Sequence, residues 1–197
     1  MTLRKYKYYF RKPRSEIVKD AMRILLVSGT LIITAQSPYF VRNLLKDYKN
    51  LNKYPKKKVS DTFSNLRRQG LIEIERHNNQ IYIRLTQEGR KRAGIYQISS
   101  LEIRRPKKWD GKWRLVIFDI AQLKKIYREA FRGKIKELGF CQLQKSVWVH
   151  PFDCRAEIEL LRDFFGLSQD ELRLIIAEKI GEDVGLKKFF GILKTRN

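Results

Sequence analysis

A chain of 197 residues with a formal net charge of +22 has room for one or two domains and points to a polyanionic partner, nucleic acid first and an anionic membrane surface second. Its 43% hydrophobic and 12% aromatic content supports packed cores and excludes a disordered chain. Two cysteines, Cys141 and Cys154, and two histidines, His77 and His150, exclude a disulfide framework and a zinc site, and the cysteines read as small apolar packing residues.

Residues 1–14 interleave six Lys/Arg with four aromatics, the composition of a basic arm that tracks phosphates. Ser15 and Glu16 suit a helix start. The apolar run from Ala21 to Ala35 predicts that this helix continues to about residue 35, in the middle of a helical cluster. The run is too short for the ~20 residues of a membrane span. No secretory signal is visible, so the cytoplasm is the expected compartment, with no membrane contact. Gln36-Ser37-Pro38 breaks the helix. A second helix is expected from about Tyr39 to Tyr48.

After a loop at 50–55, a third helix is expected from about Lys56 to Gln69, with Val59, Phe63 and Leu66 inward at helical spacing. Its other face carries Lys57, Ser60, Asp61, Ser64, Asn65, Arg67 and Arg68. Gly70 stops it. LIEIER and QIYIRLT then alternate as two strands joined at His77-Asn78-Asn79. Thr86 caps a short basic helix near Gln87 that holds Arg90, Lys91 and Arg92. Three helices followed by a hairpin is the plan of a winged helix-turn-helix over residues 15–98. In that plan the third helix enters the major groove. Short polar side chains there suit base edges and the flanking Arg and Lys suit phosphate, while Arg76, Asn78 and Asn79 at the hairpin tip reach an adjacent groove.

Residues 99–112, rich in Arg and Lys around Pro106, read as a linker that Trp109 and Trp113 pin to one domain. WRLVIFDI from Trp113 has the continuous apolarity of a strand buried on both faces. From Ala121 to Leu138 a helical stripe follows: Leu123, Ile126, Tyr127, Ala130, Phe131, Ile135 and Leu138. Gly139 ends it. Strands are expected at 141–145 and 147–151, a helix at 154–165 with Ile158, Leu161 and Phe164 or Phe165 inward, and a last strand at 172–180. Over 113–182 this order is βαββαβ, the ferredoxin-like pattern. The fold class is therefore α+β. One sheet face lacks helices, which predicts a homodimer through this domain. The tail, 183–197, carries the amphipathic DVGLKKFFGILK, suited to covering the open face or a partner.

WRLVIFDI, LGF, QLQKSVWVHPFDC and LRLIIAEKI, with the winged-helix plan and GTLIITAQSP ahead of them, resemble the PaaX-type transcriptional repressors over roughly residues 15–182. QKSVWVHP carries the most specific match. The resemblance implies a DNA-binding regulator, repressor in type, whose second domain is similar to the small CRISPR adaptation endonuclease (Cas-two). The family's longer C-terminal domain, implicated in effector response, is not expected here, and the sequence assigns no small-molecule effector. Ala121 stands where the family often has proline.

The same resemblance places Asp119 where those endonucleases end their first strand with an aspartate, two copies of which hold a divalent metal across a dimer axis. It gives Ser146 a role in orienting phosphate or water. An Asp119 site of this kind would take Mg²⁺ or Mn²⁺, since hard cations prefer carboxylate oxygen. Asp119 equally suits a helix cap, Asp153 and Glu178 read as structural, and Asp110 as a turn residue. Two functions from different classes therefore stand. The first is a dimeric regulator of double-stranded DNA that needs no cofactor and reads a roughly palindromic site. The alternative is a metal-dependent nuclease built on paired Asp119.

Overall fold

A computed structural model describes residues 15–34, 51–121 and 125–193. The chain forms two compact units that divide between Ser100 and Leu101. The expected arm at 1–14, the second helix at 39–48 and Leu123 lie outside the described residues.

In the first unit the apolar run is not one helix. Helix α1 (Glu16–Ser28) stops at Gly29, whose φ of 69° lies in the left-handed region. The chain then enters β1 (Thr30–Thr34). The expectation of a helix to residue 35 is corrected here. Thr30, Ile32, Ile33 and Thr34 are β-branched, and Leu31 and Ile33 alternate into the core. Ser15 occupies the N-cap position without a side-chain cap bond. Helix α2 (Lys56–Arg68) buries Val59, Thr62, Phe63 and Leu66. Strands β2 (Ile72–His77) and β3 (Gln80–Leu85) pair antiparallel, and β1 pairs with the other side of β3. The sheet order is β1-β3-β2. Helix α3 (Gln87–Ser99) begins at Thr86, whose Oγ1 accepts from the Gly89 N–H at 3.0 Å. Gly89 has no room for a side chain: a Cβ there would lie 1.8 Å from the Leu71 carbonyl oxygen.

The second unit follows the expected order: β4 (Trp113–Phe118), α4 (Lys125–Glu137), β5 (Cys141–Gln144), β6 (Val147–His150), α5 (Arg155–Phe165) and β7 (Leu172–Ala177). Helix α6 (Val184–Phe190) comes last. The sheet is antiparallel with order β5-β6-β4-β7, the split βαβ arrangement. Strand β4 is central, as its continuous apolarity requires. Phe118 packs edge-on against Phe131 of α4 at 5.0 Å, and Phe131 against Phe165 of α5 at 5.8 Å. Ile126 and Tyr127 are exposed, so the inward stripe of α4 begins one turn later than its sequence suggests, at Ala130 and Phe131. Helix α5 buries Ile158, Leu161 and Phe165 as expected.

Arg114, only 5% exposed, lies within β4. Its Nη1 donates to Asp110 Oδ1 at 2.7 Å and to the carbonyls of Lys112 at 2.7 Å and Pro151 at 2.8 Å. Nη2 donates to Asp110 Oδ2 at 2.5 Å. Asp110 also accepts from the Lys112 N–H, the side-chain bond of an Asx-turn. His150 is buried among Phe140, Phe152 and Phe190, and its Nδ1 accepts from the Phe152 N–H at 3.2 Å. Burial holds its imidazole down at about 4, reinforced by Arg105 and Arg114 and opposed by the Phe152 carbonyl oxygen, which lies 3.3 Å from Nδ1. Cys154 is fully buried, its thiol pushed up to about 12 chiefly by burial, and Cys141 is half-buried.

Two outcomes follow. Gly89→Ala drives a methyl into the Leu71 carbonyl and lowers the stability of the first unit by about 1–3 kcal/mol, visible as a lower melting temperature of that unit. His150 is neutral when folded and titrates near 6.5 when unfolded, so its contribution is complete above pH 6.5 and lost as pH falls towards about 4. Thermal melts of the second unit therefore decline across that window. His150→Gln flattens the decline, and an unchanged slope would show that His150 is not its source.

Candidate nucleic-acid interface

Helix α2 buries one face, and the opposite face is polar. Lys57, Asp61, Ser64, Asn65, Arg67 and Arg68 are exposed, and Ser60 is half-buried at the margin. With a period of ~3.6 residues, positions 57, 61, 64, 65 and 68 form one stripe opposite Val59, Phe63 and Leu66. Arg68 Nη2 donates to Asn65 Oδ1 within that stripe, so the amide and guanidinium are held side by side. Lys56, Lys57 and Lys58 crowd the first turn, where the positive end of the helix dipole lies. The combination strongly favours a phosphate there. The sequence reading took only Lys57 from this group.

The two ends of α2 are fixed in different ways. At its start, Tyr54 Oη donates to Asp20 Oδ2 at 2.8 Å, and Lys53 Nζ lies 2.9 Å from the same oxygen. This ties the loop before the helix to α1. Burial raises the Asp20 carboxyl, but bonds from Lys53 and Tyr54 outweigh it and hold the group below its ordinary value. At its end, the Gly70 N–H donates to Arg67 O at 2.9 Å and the Leu71 N–H to Leu66 O at 3.0 Å, a Schellman turn with Gly70 at φ 68°. One residue later β2 begins.

The hairpin tip is Asn78-Asn79, with φ of 45° and 58°, the left-handed pair that a two-residue I′ turn demands. Arg76, His77, Asn78 and Asn79 are exposed. Below the tip, Arg84 reaches across the ladder to Glu73 at 2.8 Å and Glu75 at 2.5 Å. The structure thus places all ten residues expected at DNA in the first unit, on α2 and the adjoining hairpin. Residues 1–100 hold 22 Lys and Arg against 7 Asp and Glu, and residues 101–197 hold 21 against 14. The positive excess is concentrated in the half that contains this face.

Asp119 sits exposed just past the end of β4. Its N–H donates to Glu171 O at 2.9 Å, and the neighbouring Phe118 N–H donates to Ser146 O at 3.1 Å. Asp119 and Ser146 therefore meet at the same end of the sheet. Asp153 is an ion-pair partner instead: Arg155 Nη2 lies 2.6 Å from its Oδ2, and Arg155 pulls the carboxyl down to about 2. Among the described residues no group of three or more His, Cys, Asp or Glu side chains is placed to hold a metal ion. Asp119 is the carboxylate at this end of the sheet that the sequence resemblance singles out, and Mg²⁺ is commonly held by one or two carboxylates with waters and substrate phosphate completing its shell. Also among the described residues, no helix is long and apolar enough to cross a membrane.

Residues 106–186 match the family model described as the PaaX protein central Cas2-like domain. The match starts ahead of β4, so it takes in the Trp109–Asp110 turn that the sequence reading assigned to the linker. No curated protein matches the chain.

The Asp20 clamp yields a direct test. A carboxyl with a lowered folded pKa contributes stability above its unfolded value and loses it as pH falls, here below 3.8. Asp20→Ala therefore costs the first unit about 1 kcal/mol at neutral pH, the worth of one hydrogen bond and a mostly exposed ion pair. The difference from the parent shrinks progressively as pH falls below 3.8. A difference that persists in acid melts would assign the loss to packing.

Proposed function

We propose that this chain, whose residues 106–186 match the central Cas2-like domain of PaaX proteins, is a PaaX-type DNA-binding transcriptional regulator, repressor in type. Its first unit is read as a winged helix: α2 enters the major groove and the hairpin tip reaches the neighbouring groove or backbone. The observation that carries this reading is the exposed stripe of α2, Lys57, Asp61, Ser64, Asn65 and Arg68, joined through the three-residue turn 69–71 to a hairpin whose tip is polar and basic. The three-stranded sheet with β1 on its far side supports it, because that strand braces the wing from behind. Asn65 is the residue type that pairs bidentately with adenine, Arg68 with guanine, while Lys56, Lys57, Lys58 and Arg67 meet phosphate. The second unit dimerises in this proposal, so two reading helices address a roughly palindromic double-stranded site. The cytoplasm is the matching compartment.

A nuclease reading has one observation behind it, the exposed Asp119 beside Ser146. A dyad of two chains would supply two carboxylates. No hydrolytic step is derived from one.

The test is a gel in which the purified protein meets duplex fragments of its own upstream region with Mg²⁺, Mn²⁺ or EDTA. One fragment is retarded, uncut, and unaffected by EDTA. Affinity falls steeply with salt, by about 10³-fold or more between 50 and 200 mM for six or more phosphate contacts. Replacing Ser64, Asn65 and Arg68 together with alanine removes the preference for that fragment and keeps the salt-dependent, non-specific binding. Preference that survived the triple change would place the reading surface elsewhere. Metal-dependent shortening of the DNA, abolished by Asp119→Asn, would establish the nuclease instead.

A further inference from the structure

The C-terminal segment is bound to the connection that leads into the second unit. Trp113 Nε1 donates to Asp183 Oδ2 at 3.1 Å. Asp183 Oδ1 pairs with Lys187 Nζ at 2.8 Å, one turn into α6. The same ammonium sits 5.7 Å from the ring centre of Trp109. Trp109 in turn lies 4.8 Å from Trp113 and donates through Nε1 to the Lys112 carbonyl at 3.0 Å. Phe190, at the end of α6, closes the set with ring contacts to Trp113 at 6.0 Å and to His150 at 5.6 Å.

We propose that α6 with Asp183 is a releasable strap: docked, it holds Trp109 against Trp113, and undocked it frees Trp109 and the residues ahead of it, while Arg114 keeps Asp110 and Lys112 in place. Two observations make it releasable. The helix has seven residues and buries none of them, and a helix this short has no stability of its own in water. Val184 and Phe189 are 66% and 63% exposed, so its outer side is held by nothing in the second unit. Elements with so little buried surface open locally, well before the domain unfolds. The connection it holds is rich in cations: Arg104, Arg105, Lys107, Lys108 and Lys112 are all exposed. Docking thus decides whether Trp109 and the residues ahead of it are held to the second unit or lengthen a tether. For DNA reading this consequence rests on the function proposed above. A longer tether lets paired reading units accept a wider range of half-site spacings.

Limited trypsin digestion of the full chain tests the strap without DNA, by following cleavage at Lys107 and Lys108. Lys187→Gln removes the ion pair and the contact over Trp109 at a partly exposed position. Phe190→Ala removes the ring against Trp113. Cleavage in the connection is expected to rise by about tenfold in Phe190→Ala and less in Lys187→Gln, because proteolysis follows the open population. The emission of Trp109 and Trp113 shifts to the red in the same order. Should Phe190→Ala fail to fold, Lys187→Gln decides the matter alone. Cleavage and emission unchanged in a folded variant would overturn the strap. With two half-sites at varied separation, both variants keep single-site affinity and lose spacing discrimination. Absence of any DNA binding by the parent would sink the regulator reading and leave the digestion result standing, whereas released cleavage with unchanged spacing preference would overturn the strap's part in reading.

Discussion

The peptide group of Leu71 is the point on which the first unit turns. Its N–H closes the end of α2 on Leu66 O, and its carbonyl accepts from the Thr86 N–H at 3.1 Å. Gly89 passes so close to that carbonyl that no side chain fits. Thr86 adds a second tie, its hydroxyl donating to Gly70 O at 2.7 Å while accepting from Gly89. Three elements are therefore fixed by one residue and the two backbone segments around it: the end of α2, the start of β2 and the start of α3. In the proposed reading, a helix separated from the hairpin by a flexible loop would spend orientational entropy each time both engaged a duplex. Here that freedom is removed in the fold itself.

The second unit has a comparable constraint in Arg114. A guanidinium buried in a central strand is costly unless its donors are met. Asp110 and the carbonyls of Lys112 and Pro151 meet those at Nη1 and Nη2, while Nε has no partner among the described residues. The arrangement obliges the turn before β4 and the segment after β6 to converge on one side chain. It accounts physically for two stretches that the sequence singled out, Trp-Asp-Gly-Lys and the His-Pro end of QKSVWVHP. His150 pairs across the ladder with Arg114 and carries the ring of Phe190. The strap is thus anchored on the same corner that Arg114 organises.

What the sequence revealed follows from how local each signal is. The burial pattern of α2 repeats every three to four residues, the hairpin announces itself in Asn78-Asn79, and Thr86 caps a helix three residues from its acceptor's partner. All were legible, and so was the βαββαβ order, because each element there ends in a glycine or a polar turn. The apolar run of 21–35 was misread because unbroken apolarity suits a buried helix and a buried strand alike. Gly29 and the β-branched residues after it decide for a strand only once β3 is there to pair with. Ile126 and Tyr127 obey helical spacing but precede the part of α4 that meets Phe118, so periodicity overstated the buried face. The Asp20 clamp was invisible for a different reason. Its partners lie 34 residues away, and nothing in Lys53 or Tyr54 distinguishes them from other polar loop residues.

The division of charge bears on what each unit contributes in the proposed reading. Phosphate attraction is long-ranged and additive, and it scales with local positive excess rather than with fold. The first hundred residues carry about two thirds of the net charge, and the exposed face of α2 lies among them. The remaining residues hold 21 Lys and Arg against 14 Asp and Glu, and several of those cations are already engaged: Arg114 with Asp110, Arg155 with Asp153, Lys187 with Asp183. In the proposed reading the second unit acts on binding through geometry as well as charge, by where it holds the connection and what it pairs with. In that reading the two roles are experimentally separable, because changes on α2 would alter how tightly and which bases are bound, whereas changes at Trp109, Asp183 or Phe190 would alter the spacing over which two such units act together.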